Sequence, residues 1–202
     1  MSETPEDGAE ASSGFRWVEE RPIHEGFIIG VANVVVEAPD GQRMDRDVIH
    51  HPGAVAVVPL HTDGTVTLVR QYRTPIKGEL LEIPAGKRDV PGEAPELTAA
   101  RELAEEVGLA AGQLLPLAQF YNSAGVSDEL TYVFLGLDLR TVSSEAHGIE
   151  EEHMTIEQIA LADVPTMVAD ARLCDAKTVI GLLAALRWHE AREAATGTHA
   201  AT

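Results

Sequence analysis

Cysteine is nearly absent, Cys174 being the single one in 202 residues. One thiol closes no intrachain disulfide and supplies no Cys-rich zinc site, which agrees with a reducing, cytoplasmic setting and reads as a thiol buried in the core. Long apolar runs are missing too. The longest, around 55–60 and 179–186, fall well short of the roughly 18 residues of a membrane span, so no membrane partner is expected. The opening MSETPEDGAEASS has neither the basic nor the apolar segment of a secretory leader. Residues 1–14 are expected to be a disordered acidic tail, and 191–202 a second tail. Basic residues are few, 15 Lys and Arg against 33 Asp and Glu, for a formal net charge of −18. Long-range attraction to nucleic acid is thereby excluded as a default. An anionic ligand would need local arginines or a divalent cation, so acidic clusters become candidate metal sites.

What is present is a full-sized globular composition, 45% hydrophobic and 24% charged, enough for one substantial core. β-Branched runs predict strands at Phe27–Glu37, Arg46–His50, Ala54–Leu60 and Thr65–Tyr72, reversing at Pro39-Asp40-Gly41 and Asp63-Gly64. A helix is expected between Pro95 and Gly108, where Leu97, Ala100, Ala104 and Val107 recur at helical spacing. Strands follow at Leu114–Tyr121, Leu130–Leu137 and Met154–Ile159, then helices at Pro165–Ala171 and Ala176–Arg192, the latter with a stripe of Val179, Leu182, Leu183 and Leu186. Strands, one helix, strands and then helices favour an α+β class built on a mixed-sheet sandwich over strictly alternating α/β.

Glu102, Glu105 and Glu106 lie three and four residues apart on the expected helix, so their carboxylates share a face. Crowded like charge calls for a cation, and hard oxygen ligands select Mg²⁺ or Mn²⁺ over zinc. Alone, the stripe is equally a solvated helix face. Its context is Gly86, Glu93, Arg101-Glu102, Glu105-Glu106 and Gly108, with aliphatic Leu103 and Leu109. This constellation resembles the box of the Nudix hydrolase family. Every fixed residue is present, with one departure: six residues, Lys87 to Gly92, separate Gly86 from Glu93, one more than the family pattern has.

The resemblance implies an α/β/α sandwich with a mixed central sheet, and metal held by Glu102, Glu105, Glu106 and the Ala85 carbonyl. Arg101 would orient the carboxylates, and Glu93 would tie loop to helix. The implied reaction is hydrolysis of a phosphoanhydride in a nucleoside diphosphate derivative. The base implied for the branch that cleaves ADP-ribose and nucleotide sugars is a glutamate on a loop well after the box. Glu150 fits first and Glu152 second, with Glu105 in the box as the competing assignment.

That branch is also resembled by Arg46-Asp47-Val48-Ile49-His50-His51-Pro52-Gly53, by Leu68-Val69-Arg70-Gln71-Tyr72-Arg73, by Glu82-Ile83-Pro84-Ala85-Gly86 and by Ser123-Ala124-Gly125-Val126-Ser127-Asp128-Glu129. It implies an N-terminal β extension over 15–52, used in forming a homodimer and a nucleotide pocket, before a catalytic domain over 53–190. Arg73 would meet the diphosphate. Arg70, Glu82, Ser127, Asp128 and Glu129 are the further substrate-side candidates, Arg70 being equally an exposed strand residue and Glu82 a support for the loop. Ala124 stands where ADP-ribose enzymes usually carry proline, which opens the choice to other nucleotide sugars. Aromatics are scarce at 4%, leaving Trp17, Phe27, Phe120 and Tyr121 as candidate base-stacking partners or plain packing. The eight histidines show no zinc spacing, and none is assigned a role. Other ligands compatible with the box are dinucleoside polyphosphates, CoA and oxidised nucleotides. A non-catalytic ADP-ribose sensor is the reading from a different class.

Overall fold

A computed structural model describes residues 13–143 and 153–199. Most of the expected N-terminal tail, and Glu150 and Glu152 with their loop, lie outside the described residues. The chain divides into two units, the smaller formed by residues 13–52 with 123–129 and the larger by 53–122 with the rest.

In the smaller unit, β1 (Arg16–Glu25), β2 (Gly30–Glu37) and β3 (Arg43–His50) form an antiparallel sheet in that order. Val31 and Val34–Val36 give β2 the β-branched side chains that suit a pleated, half-buried surface. The strand expected at Phe27–Glu37 begins at Gly30 as β2, and β1 precedes it across a turn in which the Gly26 N–H donates to the Ile29 carbonyl at 2.9 Å. β1 gave no alternation to read because it is exposed along its whole length, and its register slips beside Pro22. Proline is tolerated there because β1 is an edge strand. Residues 123–129 join this sheet through the Ile49 N–H, which donates to the Val126 carbonyl at 2.7 Å.

The larger unit contains β4 (Ala54–Pro59), β5 (Thr65–Arg73), β6 (Gly78–Glu82), β7 (Ala85–Lys87), α1 (Pro95–Val107), β8 (Leu109–Ala110), β9 (Gln113–Tyr121), β10 (Leu130–Leu137), β11 (Arg140–Thr141), β12 (Thr155–Ala160), α2 (Val164–Ala169) and α3 (Ala176–His199). One sheet runs β7-β4-β10-β9, with β4 and β10 parallel and the other pairs antiparallel. A second runs β12-β5-β6, and β8 pairs with β11. The class is thus α+β with mixed strand directions.

β4 reads as a continuous apolar run because both its faces are covered. Val55 and Val57 pack with Ala99, Leu103 and Val107 of α1. Ala56 and Val58 point the other way, into a cluster with Leu182 and Ala185 of α3. Strand alternation turns one sequence run into a helix–sheet–helix sandwich. α3 approaches closely: a β-carbon on Gly181 would stand 3.0 Å from Ile83, 3.1 Å from Val133 and 3.2 Å from Val58.

Two expectations are corrected. Cys174 is exposed, because it lies just before the start of α3 rather than within an apolar face. α3 continues to His199, into the stretch read as a tail. On its stripe Leu182 is buried, whereas Leu183 remains 36% exposed. Among the described residues no helix is long and apolar enough to cross a membrane.

Candidate active site

Pro95 opens α1 and Gly108, at φ 62°, closes it in the left-handed conformation that glycine adopts without strain. Between them Leu103 and Val107 anchor the helix to β4, which turns Glu102 toward Gly86 and Glu106 toward Ala85 of β7. Gly86 makes room for Glu102: a β-carbon there would stand 2.0 Å from its Cδ. The Ala85 N–H donates to Glu106 Oε2 at 2.9 Å, fixing the start of β7 to the helix. Arg101 Nη1 donates to Glu102 at 2.9 Å and Glu105 at 3.2 Å. Its Nη2 lies 3.5 Å from Glu93 and 3.6 Å from Asp89. Glu93 in turn accepts from the Thr98 hydroxyl at 2.8 Å. Burial pushes the Glu102 carboxyl above the usual carboxylate range; Arg101 pulls it back, and Glu105 and Asp89 raise it again.

Among the described residues no three His, Cys, Asp or Glu side chains already stand in metal-holding geometry. Arg101 draws two of the carboxylates and the Ala85 amide the third. The donors nevertheless fit a hard divalent cation in kind: all are oxygens, and Glu102 is a buried carboxylate whose charged form a cation would stabilise.

Beside this cluster lies a buried ion network. Glu82, 1% exposed, ends β6. Arg73, at the end of β5, donates to it through Nε at 2.7 Å and Nη2 at 2.6 Å. Lys177, in the first turn of α3, also donates to Glu82 and lies 3.1 Å from Asp175. Burial would raise the Glu82 carboxyl, but Arg73 and Lys177 outweigh it and hold Glu82 below its ordinary value. Arg73 is held protonated chiefly by its bonds to Glu82, with Asp175 and Glu106 adding to the effect. Arg73 therefore sits within electrostatic reach of the box.

Arg70 forms a fork with Glu157 at 2.6 and 3.3 Å, linking β5 to β12. Ser127, Asp128 and Glu129 belong to the smaller unit. There Asp128 lies 2.6 Å from His50 Nδ1 and accepts the His51 N–H at 2.8 Å. Ser127 Oγ accepts the Glu129 N–H at 3.2 Å.

Lys177 and Asp175 carry no signal read in the sequence, and His50 stands there only within the Arg46–Gly53 stretch, without a role of its own. For Asp175 a local one existed: Asp-x-x-Thr at a helix start is a capping pattern, and the Thr178 N–H donates to Asp175 at 3.0 Å. Lys177 and Glu82 meet across 95 positions, which no periodicity reports.

Residues 50–179 match the NUDIX domain family. The chain belongs to the Nudix hydrolase family. It is 36% identical to the ADP-ribose pyrophosphatase of Bacillus subtilis over 165 residues, covering 82% of this chain and 89% of that one. It is 38% identical to the ADP-ribose pyrophosphatase of Mycobacterium tuberculosis over 175 residues, covering 86% and 84%. A crystal structure of an ADP compounds hydrolase superposes with TM-score 0.77 at 24% identity, covering 88% of this chain and 95% of that one. This last likeness concerns the fold. The Nudix match begins at His50, so most of the smaller unit precedes it.

Proposed function

We propose that this Nudix hydrolase cleaves the diphosphate of ADP-ribose or another nucleoside diphosphate sugar, releasing a nucleoside monophosphate and a sugar phosphate. The observation that carries the reading is the seating of Glu102 against Gly86 on the helix that also bears Glu105 and Glu106, with the charge of Glu106 acting on Arg73. The relatives named ADP-ribose pyrophosphatase support the choice of substrate class.

Glu102, Glu105, Glu106 and the Ala85 carbonyl are the groups that would hold Mg²⁺, with Mn²⁺ as the alternative. When bound, such a cation would acidify an attacking water and neutralise charge developing on the diphosphate. Arg101 bonds both Glu102 and Glu105, offsetting part of their mutual repulsion and giving them a fixed direction. Arg73 offers planar N–H donors suited to phosphate oxygens. The water oxygen forms a bond to one phosphorus, and the bond from that phosphorus to the bridging oxygen breaks. The bridging oxygen leaves on the other phosphate, and the water's proton passes to a carboxylate. We assign that proton to Glu150, with Glu152 second and Glu105 as the alternative inside the box.

We also propose a cytoplasmic homodimer. Its support is β1, exposed throughout, with Trp17, Val18, Ile23 and the neighbouring Phe27 in solvent, a patch of the kind proteins cover with a partner. A panel of nucleoside diphosphate sugars with Mg²⁺, scored by nucleoside monophosphate release, tests the activity. Turnover that survives removal of all divalent metal would refute the mechanism, and release of phosphate alone would refute the bond assignment.

A further inference from the structure

We propose that Lys177 is a positioning residue for diphosphate capture, acting on Arg73 through the buried carboxylate of Glu82. The inference rests on the diphosphate reading above and deepens it.

Glu82 is inaccessible to solvent, and its oxygens are divided between two cations. Oε1 accepts from Arg73 Nε, while Oε2 accepts from both Arg73 Nη2 and Lys177. The fork therefore uses the Nε and Nη2 edge of the guanidinium, and the Nη1 edge is not spent on Glu82. Arg73 is 35% exposed against 13% for Lys177. Exposure separates the two cations: Arg73 is the one that reaches solvent, where the charge of Glu106 also acts on it, and Lys177 is the more enclosed one.

Lys177 is delivered to that place by the first turn of α3. The Thr178 hydroxyl donates to Asp175 at 2.6 Å and accepts the N–H of Ile83 at 3.0 Å. Thr178 is thus bonded to the residue after Glu82, so the helix start and the strand end are fixed to one another. Lys177, next to Thr178, meets Glu82 in a set geometry and is steadied by Asp175.

A buried carboxylate shared by two cations presents a rigid, balanced acceptor to each. Remove Lys177, and the uncompensated charge of Glu82 falls on Arg73 alone, drawing the guanidinium inward and away from a bound anion. Removing one partner of a buried charged hydrogen bond costs far more than an exposed one. The contribution of Lys177 should therefore appear in ligand capture, where Arg73 acts, rather than in bond cleavage.

The test compares wild type, Lys177→Met, Lys177→Arg, Arg73→Ala and the Arg73→Ala/Lys177→Met double variant. KM and kcat are read with ADP-ribose, and binding of inorganic pyrophosphate is read by calorimetry. Lys177→Met should raise KM and the pyrophosphate Kd about tenfold, with kcat changed much less. Lys177→Arg should restore most of the loss. In the Arg73→Ala background the methionine substitution should add nothing further to KM, because the residue it acts through is gone. If Lys177→Met does not fold, Lys177→Gln keeps a donor toward Glu82 without the charge and carries the same comparison. A lowered melting temperature with unchanged KM and Kd would make Lys177 a stability residue and overturn the inference, as would additive effects in the double variant. A wild-type protein that binds pyrophosphate through Arg73 yet cleaves no nucleotide sugar would instead overturn the proposed function and leave the positioning role standing.

Discussion

Gly86 and Glu102 share one space: a β-carbon on the glycine would stand 2.0 Å from the carboxyl carbon of the glutamate. No side chain fits there while Glu102 keeps its place. Gly86→Ala should therefore displace the carboxylate and cut activity by about 100-fold, the scale on which disturbing a metal ligand's surroundings acts. Gly86 has no positive φ, so alanine meets no backbone penalty. Activity titrated against Mg²⁺, with circular dichroism as the control, separates the local effect from unfolding.

Glu82 yields a stability prediction with a sign in pH. Its carboxyl is held below the ordinary value despite burial, because Arg73 and Lys177 outweigh the desolvation. The stability it contributes is present above the unfolded carboxylate value and is lost as pH falls through the lower, folded value. Glu82→Gln leaves two cations facing a neutral amide and should cost about 3–5 kcal/mol at neutral pH. Urea denaturation from pH 7 down to pH 3 checks both parts. The variant should be much less stable at pH 7, and the gap should narrow toward acid.

His50 behaves oppositely. Nδ1 lies 2.6 Å from Asp128 and Nε2 lies 3.1 Å from Glu20. A neutral imidazole has one N–H, so satisfying both carboxylates requires the imidazolium. The hydrogen bond that His50 donates to Asp128 does most to raise its pKa; burial lowers it, and the charges of Asp128 and Glu20 add to the rise. Its stabilising contribution is complete below the usual histidine value and disappears as pH rises through the raised one. Ring-proton NMR should show His50 titrating above an ordinary histidine, and Asp128→Asn should bring it back down. Amide exchange at Ile49 and Asp128, which are bonded to residues 123–129 and β3, should quicken over the same pH range.

The parts of the fold that were legible in the sequence are those in which one local pattern carries the cause. β4 announces its burial through an unbroken Val-Ala-Val-Val run, and α1 through apolar spacing bracketed by Pro95 and Gly108. The box glutamates were legible because three and four residues make one helical face. β1 was illegible because nothing along it is buried; it exists by pairing with β2, a nonlocal cause. Arg73 and Glu82 were each singled out, yet their mutual bond and the third member, Lys177, depend on α3 folding back onto β6. The turn at Gly26 was missed for a similar reason, since the apolar residues that follow it resemble the continuation of a strand.

Packing and chemistry are separable on α1 itself. Leu103 is fully buried between β4 and the helix, and it lies between Glu102 and Glu105 in sequence but points away from their face. Leu103→Ala removes buried methyl groups and leaves a cavity, which should cost about 2–5 kcal/mol. The protein that remains folded should keep most of its kcat, because the carboxylates are untouched. Glu106→Gln should do the reverse. It preserves an acceptor for the Ala85 N–H, so the melting temperature should move little, whereas one charged oxygen donor is lost and activity should fall at least about 100-fold. Paired measurements of melting temperature and Mg²⁺-dependent turnover distinguish the two classes. A Glu106→Gln variant with wild-type turnover would remove that residue from the metal site, and a Leu103→Ala variant that loses turnover while still folded would mean that the core beneath α1 sets the carboxylate geometry directly.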